Sequence, residues 1–131
     1  RYVDRHMDFH LAIACTGHFF CDVRIMGLRK LYDYRRMRPM VCATKEHYVQ
    51  LEKQDRQAVR YLIHVLENTP WSIPGSENAT IHGVYITEIV QTLDLFTGQY
   101  HPGPQDTKRW QTVPEANLRA ALNDWRKWLV P

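Results

Sequence analysis

His47–Gly98, HYVQLEKQDRQAVRYLIHVLENTPWSIPGSENATIHGVYITEIVQTLDLFTG, holds two helical periodicities in succession. Its first half places Leu51, Ala58, Leu62 and Leu66 on one face, flanked by Val59 and Ile63, with Glu52, Lys53, Gln54, Arg56, Gln57 and Arg60 pointing outward. This spacing predicts a helix from about Lys45 to Asn68, ended by Asn68-Thr69-Pro70. The second half steps through Ile81, Tyr85, Ile89, Leu93 and Phe96, with Ile86 and Val90 widening the stripe and Gly98 placed as a C-terminal stop. Between them, Trp71–Glu77 centres on Pro74-Gly75-Ser76, and Ser76 or Asn78 can cap the second helix. Asn78-Ala79-Thr80 also fits a glycosylation acceptor, but its position suits the cap. Residues 46–97 therefore read as an αα-hairpin.

Upstream, Val3, Met7, Leu11 and Ala14 recur at helical spacing, and Thr16-Gly17 supplies a break. A second helix is expected from about His18 to Met37, with Phe20, Val23, Gly27 and Leu31 on one line and Cys21, Ile25, Leu28 and Tyr32 beside it. Arg35, Arg36 and Arg38 suit its C-terminal end, and Pro39 closes it. Residues 3–37 thus form a first hairpin. Downstream, residues 98–112 are a long irregular loop containing Pro102-Gly103-Pro104. Thr112 and Glu115 then have capping-box spacing, opening a helix over 113–129 whose stripe is Leu118, Leu122, Trp125 and Leu129, with Ala121 and Trp128 adjoining. No sustained two-residue alternation and no Asn-Gly or Asp-Gly turn competes. The expectation is an all-α chain of about five helices, as stacked αα-hairpins or as a compact helical bundle.

Composition agrees with one folded, soluble domain. The chain has 131 residues, 44% apolar and 24% charged, which is outside the disordered and fibrous ranges. No run approaches the roughly 20 apolar residues that cross a bilayer. The net charge of +3 lies in the N-terminal third, where residues 1–38 hold eight Lys and Arg against four Asp and Glu. Three cysteines, Cys15, Cys21 and Cys42, are an odd count that does not read as a disulfide framework, and a single bridge between two of them is left open. With numbering from Arg1, a cytoplasmic chain and an exported, processed one are both left open.

Three pieces of the chain carry a likeness: Asp55-Arg56-Gln57-Ala58-Val59-Arg60 followed by Leu62-Ile63-His64-Val65-Leu66; Leu93-Asp94-Leu95-Phe96-Thr97-Gly98-Gln99; and Trp125-Arg126-Lys127-Trp128. Together, residues 47–129 resemble a HEAT-like helical repeat, in which a Leu-Thr-Gly-type turn ends a unit and a Trp-Arg-x-Trp-type helix closes the array. The chain departs from that pattern in lengthening the Asp-x-x-Val-Arg spacing by one residue and in lacking self-similarity between its two hairpins. The resemblance implies a stacked scaffold used for protein binding. A solenoid hairpin cannot bury its apolar face alone and usually needs about three units. With two and a half units here, either the last helix folds over as a lid or another chain covers an open face.

Several groups could carry chemistry. His6, His10, His18 and Cys21, with Cys15, are of zinc-ligating type, and His6 and His10 share a helical face. They lack Cys-x-x-Cys and His-Glu-x-x-His spacing, and the cysteines fall on apolar rows, so no metal site is favoured and a zinc-type protein is the alternative reading. Arg24–Arg38 holds six basic residues, but Asp22 and Asp33 interrupt them, which fits a solvated face better than nucleic-acid binding. His82 and His101 could each meet a carboxylate from elsewhere in the chain. No nucleophile elbow, P-loop, dinucleotide fingerprint or haem-attachment motif is present, so neither an enzyme nor a cofactor is expected. The reading is a non-catalytic protein–protein interaction module, an accessory or structural subunit of a larger assembly or a homo-oligomer. A small helical immunity or inhibitor protein belongs to the same class. Trp71, Trp110, Trp128, Arg35 and Arg36 are the candidate contacts, Trp and Arg being enriched at binding hot spots.

Overall fold

The computed structural model describes residues 2–18, 21–37, 44–68, 79–101 and 115–130. They form five helices: α1 (Tyr2–Thr16), α2 (Cys21–Arg36), α3 (Lys45–Glu67), α4 (Ala79–Thr97) and α5 (Glu115–Leu129). No strand occurs among the described residues, so the all-α expectation holds. The second helix starts at Cys21, later than expected, and His18 lies outside it. The expected caps of α4 at Ser76 or Asn78, and the capping-box Thr112 of α5, lie outside the described residues.

Local sequence explains the ends that are visible. At the start of α3, Thr44 has extended backbone and its hydroxyl accepts from His47 N at 3.1 Å, satisfying one of the unpaired first-turn donors. At the other end, Asn68 N and Nδ2 both donate to the His64 carbonyl, at 3.2 and 2.8 Å. α4 stops where Gly98 takes a positive φ of 67°, and Gln99 N then donates back to the Asp94 carbonyl at 3.0 Å, the six-to-one bond of a Schellman turn.

One hydrophobic cluster draws on all five helices, from Phe9, Ala12 and Ile13 through Leu28 and Leu31 to the stripes of α3, α4 and α5. In α3, Leu51, Ala58, Val59, Leu62, Ile63 and Leu66 are all buried, as their spacing implies. The same is true of Ile86, Ile89, Val90, Leu93 and Phe96 in α4, and of Leu118, Ala121, Leu122 and Trp125 in α5.

Two details differ from the sequence reading. In α1 the buried row is Phe9, Ala12, Ile13 and Thr16, whereas Leu11 is 63% exposed and Ala14 is exposed. The reason is backbone approach. A Cβ on Gly27 of α2 would lie 2.6 Å from the Ala12 carbonyl oxygen and 2.9 Å from Thr16 N, so the bare Gly27 backbone comes against α1 at Ala12 and Thr16 and turns that row inward. In α3, Gln54 is buried instead of outward-facing, as is its neighbour Asp55, which pairs with Arg35 of α2 at 3.7 Å. This long helix packs against α1, α4 and α5 and meets α2 through the Arg35–Asp55 pair, which leaves it a narrower solvent face than a two-sided helix has.

The helix pairs in contact are α1–α2, α2–α4, α3–α4, α1–α3, α3–α5 and α4–α5. They can be drawn as two rows, α1, α3, α5 and α2, α4. But α1, α2, α4 and α3 also close a ring, Arg35 and Asp55 tie α2 to α3 across it, and α5 rests on both α3 and α4, as in a compact bundle. α5 does not continue the first row in parallel. Arg126 pairs with Glu67 at 2.7 Å, while Arg56, about 16 Å earlier along α3 at 1.5 Å per residue, donates to the Leu129 carbonyl at 2.9 Å. The reversed order of these ties means that α5 runs against or across α3.

Candidate functional site: a histidine held between two carboxylates

The turn after α4 brings a polar cluster together at the α4–α5 junction. Asp94 stands in the last turns of α4, on the flank of a helix whose Leu93 and Phe96 are fixed in the core. The Gly98 turn folds the chain back, so that His101 N donates to Asp94 Oδ2 at 2.7 Å and His101 Nδ1 meets Asp94 Oδ1 at 2.6 Å. Trp125 of α5, fully buried, donates its Nε1 hydrogen to the same Oδ1 at 3.0 Å. On the far side of the ring, His101 Nε2 meets Asp124 Oδ2 at 2.8 Å. The imidazole also lies edge-on to the Trp125 ring, with centroids 5.2 Å apart. Gln99 Nε2 donates to the Asp124 carbonyl at 3.3 Å, and its Oε1 is buried without a hydrogen-bond partner among the described residues.

A carboxylate is an acceptor, so an imidazole facing one on each side donates to both only as the doubly protonated imidazolium. Burial on its own lowers the His101 pKa. The hydrogen bonds to Asp124 and Asp94, reinforced by both charges, outweigh it and set the pKa above the ordinary 6.5. With both nitrogens committed, His101 is neither a free base nor a metal ligand in this arrangement. It joins the end of α4 to α5.

His101 is the residue that the sequence offered as a partner for a carboxylate from elsewhere. Asp94 and Asp124 were not anticipated; the one signal was the Gly98 stop, which requires the chain to reverse beside the end of α4. Of the candidate contact residues, Trp71 and Trp110 lie outside the described residues. Trp128 is partly buried, packs against the core and carries the Arg56 guanidinium 5.6 Å above its ring. Arg35 is half-buried beside Asp55, and Arg36 is exposed, 3.5 Å from Asp33 on its own helix. Among the zinc-type residues, His10 is exposed and lies edge-on to Phe9, His18 is exposed with its carbonyl accepting from Arg24 Nε, and the side chains of His6 and Cys21 are outside the described residues. Among the described residues, no three His, Cys, Asp or Glu side chains are grouped to hold a metal ion, and no helix is long and apolar enough to cross a membrane.

No protein-family model, curated protein or solved structure matches the chain.

Proposed function

We propose that this chain is a non-catalytic protein–protein interaction module, an accessory or structural subunit built as a HEAT-like stack and closed at one end by its own last helix. Its contacts of hairpin on hairpin, with α5 against α3 and α4, suit stacked hairpins, although they suit a compact bundle equally. The reversed run of α5 suits a closing helix better than the start of a further unit. The α1/α2 hairpin stands at the opposite end of the rows. There Leu11 and Met26, 63% and 65% exposed, project from the sides of α1 and α2 opposite their buried rows. These two side chains carry the proposal, because terminal units of a stack that end in solvent generally need a polar outer face; Tyr100 and Val130, at the α5 end, are exposed as well. The exposed Arg36 and the partly buried Trp128 remain candidate contacts, with Arg35 held back by Asp55.

Native mass spectrometry of gently purified protein tests this reading. The expected result is a stoichiometric complex, with a larger protein or with further copies of the chain, that is lost in the double variant L11E/M26E while the variant keeps its helical circular dichroism. A bare monomer at every concentration from both proteins would overturn it.

A further inference from the structure

The Asp94–His101–Asp124 arrangement goes beyond the interaction reading and does not depend on it. The two ends of the ring are not equivalent. Asp94 also accepts from His101 N and from Trp125 Nε1, and its side chain is largely covered. Asp124 is 51% exposed, and the His101 ring is the one side-chain donor described on its carboxylate. A neutral imidazole keeps a single N–H. It stays on Nδ1, where the shorter bond to the more buried carboxylate is made, and Nε2 then turns a lone pair toward Asp124. An attraction becomes a repulsion on the α5 side alone.

We propose that Asp94, His101 and Asp124 form a proton-operated clasp: the doubly protonated ring ties the end of α4 to α5, and loss of its Nε2 proton releases Asp124. The groups that face the ring are few. α4 contributes Asp94, α5 contributes Asp124, and Gln99 and Trp125 are uncharged. The cation of α5 closest in sequence, Arg126, turns instead to Glu67 of α3 and to Asn123. Both carboxylates hold the proton on against the effect of burial, so the clasp is closed at pH 6.5 and below and opens as pH rises through the raised pKa. Because the folded pKa is raised, the stabilisation is fully present below 6.5, the unfolded value, and is lost as pH rises through the folded pKa.

Imidazole nitrogen NMR on the full chain with labelled histidine tests the clasp. For His101 the expected result is protons on both nitrogens at pH 6, a midpoint above 6.5, and α5 amide signals around Asp124 moving with that midpoint. In D124N the midpoint falls and the coupled movement of α5 disappears, while the Nδ1 proton persists. Urea unfolding gives a second readout: the wild type loses stability above the midpoint and H101Q shows no such decline. A wild-type midpoint at or below 6.5, α5 signals indifferent to it, or an equal alkaline decline in H101Q would overturn the proposal.

Discussion

Trp125 does two jobs that are usually divided between residues. Its ring is wholly buried among the stripes of α3, α4 and α5, and its indole N–H is the third donor to Asp94 beside two from His101. Truncation should therefore cost both packing and a hydrogen bond to a charged group. We expect W125A to lose about 3–5 kcal/mol from the cavity. W125F, which keeps most of the apolar volume, should lose about 1.5–3 kcal/mol for the bond. Urea denaturation at pH 6 measures both, and a negligible loss in W125F beside a large one in W125A would show that the bond to Asp94 contributes little. The burial of Trp125 was readable from its place on the α5 stripe. Its bond was not, because Asp94 and Trp125 are 31 positions apart and only the fold brings them together. His101 is a similar case. It is a single polar residue in a loop and has no periodicity to give it away, and its two carboxylates lie 7 and 23 positions from it.

Among the elements, the α1–α2 pair shows what apolar periodicity misses. The stripes of α3 and α4 were legible because large aliphatic residues recur there at steps of three and four and the buried face is wide. In α1, two rows compete, and hydrophobicity alone favours the one through Leu11. The contact is decided instead by volume, since Gly27 lets α2 come against the Ala12 carbonyl and the Cys15 Cβ, which an added Cβ would meet at 2.6 and 2.8 Å. Helix propensity predicts that G27A stabilises by up to about 1 kcal/mol. We expect the opposite, a loss of about 1–3 kcal/mol, because a backbone carbonyl cannot swing aside and the helices must separate. G98A is the contrasting case: nothing lies within 4 Å of its Cβ, so only the left-handed backbone resists, at roughly 1–2 kcal/mol. Thermal unfolding followed by circular dichroism compares the two, and a stabilised G27A would mean that α1 does not rest on α2 as described.

For the whole molecule, large apolar side chains stand in solvent at both ends of the helical rows, Leu11 and Met26 on α1 and α2 and Tyr100 and Val130 beside α5, but only the α5 end is tied down by a closing helix. At one end α5 lays Leu118, Leu122 and Trp125 onto α3 and α4 and is held by Glu67, Arg56 and the His101 clasp. At the other, α1 and α2 leave Leu11 and Met26 in solvent. The sequence posed these as alternatives, a closing helix or a partner chain, because counting units could not say which end each would serve. On our account both occur, one at each end. Amide hydrogen exchange tests this most directly, comparing the dilute chain with the assembly recovered by gentle purification. The account predicts that exchange slows in α1 and α2 around Leu11 and Met26 when the assembly forms, while α5 keeps the protection it already has in the isolated chain. Slowing confined to α5, or unchanged exchange in α1 and α2, would contradict it.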